Sequence, residues 1–173
     1  MMPEQRLPLS IDPLRYAKTR RQLAGSVALA DLPRLADVLA KKEGVVVVEM
    51  AFFFDEEKRV IVKLQVKTQL SLICQRCLQP LEYPVDAISE LCVVNDEKEV
   101  ETIPEQYEPL VVKGEQFVPL DVIEEELLLS VPLVAVHHNK DCAGSQDGAY
   151  YPVPSADSKE RHRPFEVLAQ LKK

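Results

Sequence analysis

Residues 60–74 alternate: Val60, Val62, Leu64, Val66, Leu70 and Leu72 are apolar at even positions, while Lys63, Gln65, Lys67, Gln69 and Ser71 fill odd ones. Successive side chains of a strand point to opposite faces, so this period predicts a strand with one buried face and one wet face. Just before it, residues 45–54 form an apolar run rich in β-branched and aromatic residues, and residues 55–59 are all charged. The two runs read as a long hairpin, a buried strand turned through a charged loop into its amphipathic partner. The second strand would extend about 50 Å at ~3.3 Å per residue, longer than is usual, which predicts a bend or bulge along it. It delivers Cys74 at its end.

Other elements follow from punctuation and spacing. Asp31 can cap a helix with Pro33 in its first turn, Leu32, Leu35, Ala36 and Leu39 on one face, and Gly44 as its stop. Residues 83–95 supply a further strand, and the acidic stretch 96–108 reads as an exposed connection with a helical turn near Pro104. Residues 110–112 and 116–118 are short strand candidates around Gly114. Asp121 followed by Glu124 resembles a capping box; Glu124, Glu125 and Glu126 favour the positive end of that helix, and Pro132 stops it. Residues 139–163 lack periodicity and read as a mobile loop, after which Pro164 opens a terminal helix with Phe165, Leu168 and Ala169 on one face. The expectation is one α+β domain over residues 1–173, an antiparallel sheet built on the hairpin with flanking helices.

Several function classes lack material. The chain is 46% hydrophobic and 28% charged, a balance that buries a core. Only five glycines and three histidines are present. No phosphate loop, dinucleotide fingerprint or nucleophile elbow occurs, so neither an enzyme nor a small-molecule substrate has support. No run reaches the ~18 apolar residues of a membrane span and no signal-type segment opens the chain, so a cytoplasmic protein away from membranes is expected.

Charge is unevenly placed. The net charge is −7, yet residues 1–24 carry five Lys or Arg against Glu4 and Asp12. Residues 158–173 carry five against Glu160 and Glu166, and residues 86–126 carry 13 acids against Lys98 and Lys113. Basic ends around an acidic centre suit RNA that carries basic proteins, although scattered surface charge has the same look. Arg15, Lys18, Arg20 and Arg21 in the N-terminal arm, with Arg6 and the ring of Tyr16 among them, are candidate RNA contacts; Lys63 and Lys67 on the wet strand face and Arg76 add to them. A solvated helix and a solvated strand face account for the same residues.

Cys74-Gln75-Arg76-Cys77 is the sharpest local feature, because two thiolates two residues apart can turn toward one ion. Cys142 lies five residues after His137 and four after His138, and either imidazole with Cys142 would complete a tetrahedral three-cysteine, one-histidine set for structural zinc. Cys92 is the spare ligand, and ordinary buried thiols beside a polar loop remain the alternative. A redox role would need a helix beginning at Cys74, and no helical stripe begins there.

Four stretches together carry a resemblance: residues 7–13 (LPLSIDP), 74–77 (CQRC), 103–109 (IPEQYEP) and 164–172 (PFEVLAQLK). In order over nearly the whole chain, they resemble the bacterial YceD family of large ribosomal RNA subunit accumulation proteins. The resemblance implies a non-enzymatic factor for synthesis, processing or stability of 23S ribosomal RNA, with that RNA or a large-subunit precursor as partner. It also points to residues 137–142 for further ligands, where this chain has His137 and Cys142 in place of the several cysteines of other members. A protein-only adaptor, holding a basic ribosomal protein through residues 86–126, is the competing expectation.

Overall fold

The computed structural model describes residues 7–112, 114, 116–138 and 142. Five strands form one sheet in sequence order: β1 (Gln22–Ala28), β2 (Val45–Phe54), β3 (Val60–Ile73), β4 (Pro80–Val94) and β5 (Glu108–Val111). Neighbours from β1 to β4 are antiparallel, whereas β5 runs parallel to β4, because residues 95–107 double back before β5 begins beside Leu91. Among the described residues three α-helices complete the α+β arrangement: α1 (Pro13–Lys18), α2 (Pro33–Ala36) and α3 (Pro119–Ser130). Each opens on a proline, whose fixed φ suits a first helical turn and whose missing N–H has no partner to lose there.

One face of the sheet carries the core. α1 lies over β2 and β3, and α3 over β3 and β4. Between them most even-numbered residues of β2 and β3 are buried, from Val46 to Phe52 and at Val62, Leu64, Val66, Leu70 and Leu72, with Phe52 edge-on to Tyr16 at 5.2 Å and to Phe117 at 6.2 Å between ring centroids. Each fully buried aliphatic or aromatic side chain of this kind contributes about 1.5–3 kcal/mol, so the alternation along β3 is the main reason it lies as it does. Gly44 sits at φ +136°, a conformation L side chains rarely adopt, with Leu29 Cδ1 2.8 Å from where a Cβ would stand, so a larger residue would be strained there and would displace the buried Leu29 side chain.

Several expectations need correction. β3 has no bulge against β4: the register runs unbroken from Ile61 opposite Cys92 to Ile73 opposite Pro80, since β4 is long enough to pair all along it. The helix expected from Asp31 is a single turn, α2, preceded by a 3-10 turn at Leu29–Asp31; Leu32 holds its N-cap position without a side-chain cap. Leu32, Leu35 and Ala36 are nonetheless buried. Asp121 and Glu124 form no capping box, because α3 starts earlier, at Pro119. The alternation also misses Ile61, which is buried on the wet face opposite Cys92, and it misplaces Ser71, which is buried at the other end of that face where the Ala40 N–H meets its carbonyl. There the 55–59 turn and residues 97–102 bring Asp55, Arg59 and Glu99 close enough to act on the Cys92 thiol.

From residue 7 onward the basic arm is folded onto the domain. Ile11 and Phe117 exchange two backbone hydrogen bonds of 2.9 and 2.8 Å, Ala17 is buried, and β1 begins at Gln22. Apart from Cys142, the loop expected over residues 139–163 and the helix expected from Pro164 lie outside the described residues. Among the described residues no helix is long and apolar enough to cross a membrane.

Candidate functional site

β3 ends by burying Cys74, and a tight turn then leads into β4. The Cys74 N–H donates to the Gln79 carbonyl at 2.9 Å, and the Leu78 N–H donates to the Cys74 carbonyl at 2.8 Å, with Leu78 held in the left-handed region at φ 59°. This folding turns Cys77 back toward Cys74. The segment after α3 comes alongside: the Gln75 N–H donates to the Ala135 carbonyl at 2.8 Å, which sets His137 beside the turn.

Cys74, Cys77, His137 and Cys142 then present one donor atom each, all within 4.8 Å of one another, near enough to hold a metal ion. Cys74 Sγ lies 3.9 Å from Cys142 Sγ, and Cys77 Sγ lies 3.4 Å from His137 Nδ1. A tetrahedral zinc with Zn–S near 2.3 Å and Zn–N near 2.0 Å requires edges of about 3.8 Å between sulfurs and about 3.5 Å between sulfur and nitrogen. The donor set therefore fits zinc in both chemistry and spacing. His137 Nε2 is 3.0 Å from the Pro80 carbonyl, an acceptor only, so the ring proton belongs on Nε2 and the Nδ1 lone pair is left for the centre.

The electrostatics prepare Cys74 as a thiolate. Burial pushes its thiol up, but the backbone N–H groups of Cys77, His137 and Arg76, together with the Cys77 side chain, outweigh burial and bring it down to about 5. His137 is raised above the ordinary imidazole value, first by its bond to the Cys74 sulfur. A thiolate facing an imidazolium is a pair that a divalent cation replaces with release of the imidazole proton. No helix begins at Cys74, so the dipole that activates redox thiols is absent from this turn.

His138 is exposed and stands outside the four-donor group. Cys92 does too, about 40 Å along β4 from the turn, with burial pushing its thiol up. Four contributors carry no signal in the sequence: the Arg76, Cys77 and His137 amides aimed at Cys74, and the Pro80 carbonyl on His137. They are backbone groups, which no residue type signals.

The candidate RNA contacts fall into two environments. Lys63 and Lys67 share the open sheet face, as the alternation predicts, but each is paired: Lys63 Nζ to Glu90 at 3.0 Å and Lys67 Nζ to Asp86 at 3.1 Å, directly across β4. Arg15, Lys18, Arg20 and Arg21 are exposed around α1 and the turn after it, and among the described residues none of them forms an ion pair. Arg21 lies over the Tyr16 ring, 5.1 Å from its centroid, so that ring is covered by a cation and packed on Phe52. Arg76 lies exposed in the cysteine turn.

No solved structure matches the chain. The family model described as large ribosomal RNA subunit accumulation protein YceD matches residues 62–172. The large ribosomal RNA subunit accumulation protein YceD of Haemophilus influenzae is 31% identical over 174 residues, covering 99% of each chain. That match takes in the sheet, the α1 cations and all four donors of the Cys/His centre, and the chain belongs to the YceD family.

Proposed function

We propose that the protein is a non-enzymatic factor that supports accumulation of 23S ribosomal RNA by binding the RNA or a large-subunit precursor through the cations of α1 and the turn after it, on a domain closed by a structural zinc. The name of the Haemophilus influenzae relative supplies the process. The observation that carries the mode of binding is the contrast between cations: the sheet lysines are neutralised by acids across β4, whereas Arg15, Lys18, Arg20 and Arg21 keep their charge available. Phosphate contacts by such groups bind without reading sequence and respond steeply to salt. In this reading zinc is held by Cys74, Cys77, His137 and Cys142 and ties the segment after α3 to the β3–β4 turn.

Replacing Arg15, Lys18, Arg20 and Arg21 together by Gln is expected to weaken binding to large-subunit precursor RNA. The slope of log K against log salt should flatten by about 3, at 0.7–0.9 per lost phosphate contact. Titration across salt concentrations checks it, and equal affinity and slope in the variant would overturn the RNA surface. The adaptor reading is narrowed by the ion pairs. Asp86 and Glu90 are engaged by sheet lysines, and Glu124 and Glu125 by Arg34, so residues 86–126 do not form one free acidic face.

A further inference from the structure

Three of the acids left over from those pairs, Glu108, Asp121 and Glu126, border one groove. Between β5 and α3 runs a groove of about 690 Å³. Its apolar lining comes from Leu91, Leu110, Val122 and Leu129, and its polar border from Glu108, Asp121 and Glu126. Arg34 also reaches the groove, but its guanidinium is committed to Glu124 at 2.8 Å and Glu125 at 2.9 Å. The three border carboxylates have no such partner among the described residues. Leu129 is 72% exposed, on a helix whose next turn back buries Ile123 and Leu127 against the sheet. β5 is only four residues long and ends the sheet on this side, so one wall of the groove is an edge strand.

An apolar floor bordered by three carboxylates without an ion-pair partner among the described residues, beside the neutralised Arg34–Glu125 pair, disfavours a polyphosphate and selects a cation that carries hydrocarbon. We infer that this groove is a docking surface for a lysine- or arginine-rich peptide segment of a partner protein, seated by one aliphatic side chain against Leu129, Val122 and Leu91. Charge complementarity sets the occupant: long basic side chains lay their methylene stems along the floor while their heads reach Glu108, Asp121 and Glu126. The surface is separate from the α1 cations, so it stands or falls independently of RNA binding. Together the two would give a factor with one surface for RNA and another for a basic protein.

The test uses the full chain and a short fluorescent peptide of alternating Lys and Gly with a central Leu, beside its counterpart with Ser in the central place. Anisotropy should show saturable binding of the Leu peptide and at least about tenfold weaker binding of the Ser peptide. The triple variant Glu108→Gln, Asp121→Asn, Glu126→Gln should lose about tenfold, as should Leu129→Ala, with unchanged Tm and unchanged RNA affinity. Equal binding of both peptides, or binding indifferent to Leu129→Ala, would mean adhesion of any polycation and would overturn the inference. So would a concentration-dependent dimer abolished by the triple variant, which would assign the groove to a second copy. Peptide binding that emerges only when Arg161, Arg163, Lys172 and Lys173 are changed to Gln would assign it to the chain's own basic end and would equally overturn it.

Discussion

Cys74→Ser is expected to lower the zinc that copurifies with the protein from about one equivalent per chain to none, the largest single-residue effect on the centre. Cys74 is the most deeply buried of the four ligands, and its sulfur receives the backbone amides of the β3–β4 turn and of His137. A serine hydroxyl in its place binds zinc poorly and leaves those amides without an anion. Chelation of the intact protein should act in the same direction. Zinc at a thousandfold excess over its dissociation constant stabilises a fold by about 4 kcal/mol, which for a chain of this size is roughly 8–16 °C in Tm. Elemental analysis and thermal melts with and without chelator check both statements. A zinc-free wild-type protein whose Tm ignores added zinc would show that the four donors are only packed thiols and an imidazole.

Glu124→Ala is expected to cost about 3 kcal/mol, or roughly 6–12 °C in Tm, the low end of what breaking a buried ion pair costs because Arg34 is half exposed. Glu124 is 5% exposed, and its carboxylate accepts from the N–H groups of Arg34 and Leu35 at 2.7 and 3.1 Å, and from Arg34 Nε at 2.8 Å. It caps α2 from another helix, at the end where the peptide dipoles favour an anion. Burial alone would push this carboxyl up; the Arg34 side chain and the two backbone donors outweigh it and hold the group below its ordinary 4.5. A folded-state value below the unfolded one stabilises the fold above that ordinary pH, and the stabilisation is lost as pH falls through the lower folded value. The Tm gap between wild type and Glu124→Ala should therefore hold steady from about pH 6 to 8 and narrow below pH 4.5. A gap of the same size at acid pH would contradict the role given to the charge.

These two sites also mark how far the sequence can be read. Strand β3 is legible at Val60–Ile73 because burial on one face imposes a period of two, a local pattern; β2 at Val45–Phe54 is legible only as an apolar, β-branched run, which hides that Val45 and Val47 are exposed. β1 shows no such signal: Gln22–Ala28 is a sheet edge with Ala24, Gly25 and Ser26 at its middle, so little apolar alternation is required of it. A carboxylate three residues after Asp121 looks like a local cap, whereas the partners of Glu124, Arg34 and Leu35, lie 90 and 89 residues away. The Cys74-Cys77 half of the metal centre announces itself by spacing. Choosing His137 over His138 depends on which of two neighbours in an extended segment faces the turn, and the Gln75–Ala135 hydrogen bond decides that. The pairing of Lys63 with Glu90 and Lys67 with Asp86 likewise follows from the β3–β4 register, which the composition of either strand leaves open.

The ratio of large- to small-subunit ribosomal RNA in cells lacking this protein tests the assigned function most directly. The ratio is expected to fall on deletion and to recover when the intact chain is restored, but not when the chain carries Gln at Arg15, Lys18, Arg20 and Arg21. A ratio unchanged by deletion, with the intact chain and the variant indistinguishable, would contradict a role in large-subunit RNA accumulation.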